Sequence, residues 1–288
     1  TAKVTGSRLW TTDRGDFNLH VMAAGRGQPV LMLHGNPSWS FIYRRVMTAL
    51  LDSEGPELRL IAPDLLGLGV SDHPKDAAFH TIERHASAIK ALIEGLGLER
   101  LILVVQDWGG PIGLRALADL RDRLGGLVLL NTVIGPPKPG FRATGFHRFA
   151  QTPIVSDLAF RLLGFPQRAL WTVQGDRSSI RGEVARAYAW PLRGLPVAPL
   201  ALARLVPDSL DHPAVPALRV CEDFVTSVKV HTEVVWGDRD PVLGTVVHRV
   251  QRMLPHATIT RTSAGHFPQE EVPETIALAI RRVARQVF

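Results

Sequence analysis

One cysteine, Cys221, in 288 residues excludes an internal disulfide and every zinc or iron–sulfur site built on several thiolates. It fits a reducing compartment, and a cytoplasmic location is expected. Tyrosine is nearly as scarce, with only Tyr43 and Tyr188. No window approaches the roughly 20 apolar residues of a membrane span, and the stretch from Thr1 to Trp10 lacks the apolar core of a signal peptide. Neither a repeat nor a low-complexity tract is present. The 33 Lys and Arg against 27 Asp and Glu leave a net charge of +6, but the bases are scattered singly rather than in the patch that phosphate neutralisation uses. Neither a nucleic-acid partner nor a membrane is expected. The chain begins at Thr1 rather than at Met, as expected if residues have been removed ahead of it.

What is present is an ordinary globular composition, 45% hydrophobic and 21% charged, enough for a large core. From Phe17 to Asn131, short apolar runs alternate with amphipathic ones. Phe17 to Met22, Pro29 to Leu33, Leu58 to Ile61, Leu101 to Val105 and Leu127 to Leu130 read as strands. The uninterrupted apolar runs suit strands covered on both faces. Helical patterns over Ile42 to Leu51, Ile82 to Leu96 and Pro111 to Leu120 separate them, the alternation of a mostly parallel α/β sheet. At Gly135 a Gly/Pro cluster stops it. The following residues carry helical patterns, Phe146 to Leu163 and Glu183 to Trp190, and no convincing strand. Strands resume at Thr232 to Trp236 and Ala257 to Thr262, and a helix closes the chain from Glu274 to Val287. We expect a core of residues 1–134 and 216–288, with a helical cap inserted at 135–215.

The most informative segment runs from Leu101 to Gly110. A hydrophobic strand enters a polar residue and two glycines and then a helix, the context of a nucleophile elbow. The side chain presented there is the carboxylate of Asp107. An ordinary carboxyl is ionised at neutral pH, so it can attack carbon without handing a proton to a base. A histidine is then needed only to activate the water that cleaves the resulting ester. His266, between a strand and the last helix, is the best placed of eleven. A third group should orient its imidazole. Asp238 and Asp240 both follow the strand ending at Trp236. Asp240 is preferred because Pro241 holds it extended, while Asp238 has Arg239 beside it as a surface partner. After Pro29 to Leu33 comes His34-Gly35-Asn36-Pro37-Ser38-Trp39, where the second donor of an oxyanion hole belongs. Main-chain N–H groups of Asn36 and Trp108 are assigned to it. The Trp108 indole and the Asn36 amide add side-chain donors suited to a small departing anion. His34 and Trp39 are expected to be structural.

The blocks HGNPSWSFIYR, DLLGLGVSD, VVQDWGGPIGL, WGDRDPVL and AGHFPQEE resemble, in order, those of the haloalkane dehalogenases of the α/β-hydrolase family. The likeness spans nearly the whole chain. It implies an eight-stranded, mostly parallel sheet with a helical cap, a nucleophile at Asp107, a base at His266, an acid at Asp240 and a halide-binding pair at Trp108 and Asn36. Some members carry a Glu acid after the sixth strand, where this chain has Asn131, and others take a halide donor from a lid tryptophan. For Trp171 and Trp190, packing within the lid is expected instead. The implied reaction turns a small halogenated aliphatic substrate and water into an alcohol, a halide ion and a proton, through an alkyl ester on Asp107, with no metal or organic cofactor. Phe146, Phe149 and Phe160 are candidates for the pocket wall, with packing inside the lid as the alternative.

Epoxide hydrolases share the fold and the Asp, His and Asp roles but use two lid tyrosines as acid, and here only Tyr188 is in the lid. Fluoroacetate dehalogenases want arginines beside the nucleophile, where this chain has Trp108 and Gly109. A non-catalytic binder on the same fold is the remaining alternative. Gly67 to Asp72 lacks the last glycine of a dinucleotide fingerprint and is expected to be a turn. His80 and His85 are five residues apart, off a common helical face, which argues against a metal pair.

Overall fold

The computed structural model describes residues 7–12, 15–138, 140–141, 144–192, 194 and 196–287. Eight strands form one sheet: β1 (Ser7–Thr12), β2 (Gly15–Gly25), β3 (Gln28–Leu33), β4 (Leu58–Pro63), β5 (Leu101–Asp107), β6 (Leu124–Thr132), β7 (His231–Gly237) and β8 (Thr258–Thr262), in the order β1-β2-β4-β3-β5-β6-β7-β8. β2 is antiparallel to β1 and β4, and every other pairing is parallel. β1 was not expected from the sequence. It pairs only at the sheet edge, with Trp10 opposite Phe17, and has no apolar run to betray it.

Side chains alternate along each central strand, which explains why the runs are apolar throughout. Val30 and Met32 of β3, with Ile102 and Val104 of β5 and Val128 and Leu130 of β6, face one buried cluster. Leu31, Leu33, Leu103, Val105, Leu127 and Leu129 face the other. Helices α1 (Arg44–Leu51) and, at the C-terminus, α11 (Pro273–Val287) pack together over the first face. Over the second lie α2 (Ile82–Gly95) and α3 (Gly109–Ala118), with α8 (Val215–Ser227) against α3. Thr81 caps α2 by accepting the Arg84 N–H at 3.2 Å. A truncation such as Leu129→Ala in the covered centre of β6 would cost about 2–5 kcal/mol.

Between β6 and β7 the described residues contain helices and no strand: α4 (Gly145–Ala150), α5 (Val155–Arg161), α6 (Gly182–Ala189), α7 (Ala198–Arg204) and then α8. The helix expected over Phe146 to Leu163 is broken in two. Pro153 lacks the N–H that a continuous helix needs and disfavours helical geometry at Thr152, and Ile154 takes φ +65°. After β7 come α9 (Val247–Met253), β8 and the short α10 (Pro268–Glu271). No helix among the described residues is long and apolar enough to cross a membrane.

Candidate active site

The turn from β5 into α3 is tight. Asp107 has φ +48°, a left-handed conformation that costs an ordinary residue on the order of 1 kcal/mol and persists only where its surroundings impose it. Here they do. Thr132, at the end of β6, donates from Oγ1 to the Asp107 carbonyl at 2.6 Å. A Cβ on Gly109 would lie 2.3 Å from the Leu33 carbonyl oxygen, so glycine is what lets α3 start against β3. A Cβ on Gly35 would lie 2.3 Å from Cβ and Oδ1 of Asp107, which leaves that loop wrapped on the carboxylate.

Asp107, Asp240 and His266 come from the ends of β5, β7 and β8, and the sheet order brings them together. His266 holds Nδ1 at 2.9 Å from Oδ2 of Asp240 and Nε2 at 3.6 Å from Oδ2 of Asp107. The other Asp107 oxygen, Oδ1, accepts the Asn36 backbone N–H at 2.8 Å, and the Trp108 backbone N–H also bonds this carboxylate. Asp240 is buried, and its Oδ1 accepts the Val242 N–H at 2.7 Å. Asp238 faces away and pairs with Arg261 at 2.5 Å rather than with the neighbouring Arg239.

The charges hold one another in place. Burial by itself would drive a proton off His266, but the charge and hydrogen bond of Asp240, helped by Asp107, push its pKa up to about 9. Burial raises the Asp240 carboxyl, yet His266 and the hydrogen bonds from His266 and Asn131 more than reverse this and hold it below the ordinary carboxylate range. At Asp107 burial wins. Its carboxyl sits above its ordinary value, pulled back only in part by His266 and the N–H groups of Trp108 and Asn36.

A cavity of about 370 Å³ opens over these groups, bounded by Asn36, Asp107, Trp108, Phe146, His266 and Phe267 among others. Phe146 thus lines the wall as expected, but Phe149 and Phe160 do not. Phe160 is fully buried with Ala150, Leu200 and Ala203 inside the inserted helices, and Phe149 packs on that cluster. The Asn36 amide is only partly free, because Nδ2 donates to the Pro199 carbonyl of α7 at 2.9 Å. Its Oδ1 is buried without a hydrogen-bond partner among the described residues. Trp171 packs against the cluster that Leu170, Ile180 and Tyr188 of the insertion share with the sheet, and Trp190 is half exposed.

Both tyrosines are committed elsewhere. Tyr43 donates to the Leu33 carbonyl at 2.9 Å and Tyr188 to Glu270 at 2.5 Å, and neither borders the cavity. His34 accepts the Leu65 N–H through Nε2, and Trp39 donates to the Ala187 carbonyl, both structural bonds. His80 and His85 do meet, with Nδ1 and Nε2 3.2 Å apart, because His80 precedes α2 instead of lying on it. No group of three metal-ligating side chains is present among the described residues.

Sequence reasoning missed the supports of the site. Asn131 donates to Oδ2 of Asp240 at 2.8 Å and to the Gly237 carbonyl at 3.0 Å, and accepts the Gly237 N–H at 2.7 Å. Gln106 donates to the His266 carbonyl at 3.0 Å. The available signal was a polar pair, Asn131-Thr132, ending an apolar strand.

A model of the alpha/beta hydrolase fold matches residues 28–273. The chain is 34% identical over 269 residues to a haloalkane dehalogenase of Mycobacterium marinum, covering 90% of this chain and 86% of the relative. It is 31% identical over 277 residues to haloalkane dehalogenase 2 of Mycobacterium tuberculosis, covering 95% and 93%. Among solved structures, a haloalkane dehalogenase from Bradyrhizobium elkani superposes with a TM-score of 0.84 at 23% identity, covering 98% of each chain. A thermophilic esterase from Thermogutta terrifontis gives 0.73 at 25% identity, covering 98% and 99%. The sheet alone therefore does not decide the chemistry.

Proposed function

The chain belongs to the α/β-hydrolase family and, within it, to the haloalkane dehalogenases, and from that premise we propose that it hydrolyses haloalkanes through a covalent ester on Asp107. The observation that carries this mechanism is the environment of the Asp107 carboxylate, which borders the cavity: one oxygen held by a main-chain N–H of Asn36, the other 3.6 Å from Nε2 of His266. Residues 1–134 and 216–288 serve as the core that positions these groups, and 135–215 as the cap that closes over them.

Oδ2 of Asp107 attacks the halogenated carbon in line, and the carbon–halogen bond breaks. The halide departs with the bonding pair toward the Trp108 indole N–H and the remaining N–H of the Asn36 amide. An alkyl ester is left on Asp107. His266 then takes a proton from water through Nε2, and the hydroxide adds to the ester carbonyl carbon. Negative charge builds on Oδ1, where the Asn36 and Trp108 main-chain N–H groups meet it. Collapse expels the alcohol, restores the carboxylate and leaves a net proton.

Esterification also switches the histidine. The Asp107 charge is one of the causes holding the His266 pKa at about 9. Once the carboxylate is neutralised as an ester that cause disappears, and the imidazole gives up its proton more readily at the moment a base is required.

A bromoalkane and a chloroalkane, tested beside an epoxide of matched size, distinguish the chemistry: halide and alcohol should form in equal amounts. In a single turnover in heavy-oxygen water, the first alcohol should carry ordinary oxygen, because that atom comes from Asp107. Diol from the epoxide with no halide from either haloalkane would overturn the assignment, as would labelled alcohol in the first turnover.

A further inference from the structure

The site joins two chambers. Beyond the cavity of about 370 Å³ lies a second of about 470 Å³, walled by Val133, Ile134, Leu218 and Leu243 among others, and both are bordered by Asp107, Trp108, Thr144, His147 and Val242. A chain whose carbon sits at Asp107 and whose halide faces Trp108 passes this shared wall when it runs from one chamber into the other. Within it, Thr144 and His147 are the polar side chains that the dehalogenation steps leave unused.

Their side chains meet each other. Thr144 caps α4, its Oγ1 accepting the His147 backbone N–H at 3.5 Å and lying 2.8 Å from Nδ1 of the same histidine. A hydroxyl that accepts from the main chain still has a proton to place, and it is assigned here to Nδ1, the nitrogen 2.8 Å away. The ring is neutral, since burial and the proximity of His266 bring its pKa down to about 4. With Nδ1 accepting, the proton of a neutral imidazole is on Nε2. Among the described residues the ring's hydrogen bond is the one made through Nδ1.

We propose that Thr144 and His147 form a polar subsite that binds an oxygen or nitrogen acceptor carried by the substrate a few bonds from its halogenated carbon. The preferred substrates are then haloalkanes bearing an ether, carbonyl or nitrile group rather than plain chains. This rests on the dehalogenation chemistry proposed above. A donor in this half-buried wall faces no acceptor beside a hydrocarbon and gains one beside such a group, a difference that separates substrates by roughly tenfold in kcat/KM.

The test compares a bromonitrile with a bromoalkane of equal length. The ratio of their kcat/KM values should fall about tenfold in His147→Phe, fall less in Thr144→Val, and be largely kept in His147→Gln, which retains an N–H donor. A ratio unchanged in both His147→Phe and Thr144→Val, including one left unchanged by equal losses on both compounds, overturns the subsite. Absence of halide from either compound with the unaltered protein overturns instead the chemistry on which the subsite rests.

Discussion

Nε2 of His266 stands 3.6 Å from Oδ2 of Asp107, too far for a hydrogen bond and close enough for one water to touch both. This spacing suits a base that serves the ester rather than the free carboxylate. Replacing His266 with Gln should therefore spare the first step. Such a variant, mixed with excess bromoalkane, is expected to release one equivalent of halide and to gain the mass of the alkyl group. Sustained turnover, or no adduct by intact-mass measurement, would count against this division of labour.

Asp107→Ala should reduce halide release to the buffer background while leaving the fold intact, because no other carboxylate among the described residues borders the cavity. Halide formation at the unaltered rate in a correctly folded variant would remove Asp107 from the reaction.

Trp108→Phe keeps a ring of similar shape and deletes the indole donor. A hydrogen bond to an ion contributes about 1.5–3 kcal/mol, so the rate constant for halide formation should drop roughly 10- to 100-fold. Rapid-quench measurement of the first turnover isolates this step, and an unchanged constant would discard the anion-binding role.

Asn131→Ala removes two bonds around Gly237 and one to Asp240. The buried groups left without partners should cost about 1–3 kcal/mol of stability each, read by denaturant unfolding. Hydrolysis of the ester should slow more than its formation, since the loosened group orients His266. Equal slowing of both steps would show that Asn131 supports the fold alone.

Stability should follow the raised pKa of His266. A group bound more tightly to its proton in the folded state contributes fully below its unfolded value, near 6.5, and the contribution is lost as pH rises through about 9. The stability advantage of the native protein over His266→Gln should thus shrink by on the order of 3 kcal/mol between those limits. An advantage that grows with pH would reverse the sign of the electrostatics described here.

The central sheet was readable because strands covered on both faces leave unbroken apolar runs, and the tight turn holding Asp107 because two glycines follow such a run before a helix. Edge strand β1 escaped, since Ser7–Thr12 carries no apolar run. Within the insertion, periodicity marked helices over Phe146 to Leu163 but did not weigh Pro153, and it could not separate Phe146, which borders the cavity, from Phe160, which does not. Asn131 and Gln106 were invisible for a different reason. Their partners are 106 and 160 residues away, and a hydrogen bond to a distant carbonyl leaves no local pattern.

The bond from Asn36 to the Pro199 carbonyl joins segments 163 residues apart. It ties the loop proposed to receive the halide to a helix of the insertion. Substitutions around α7 that alter no surface near the reacting carbon should still retune how firmly the product anion is retained, and so how soon the protein is ready for its next molecule.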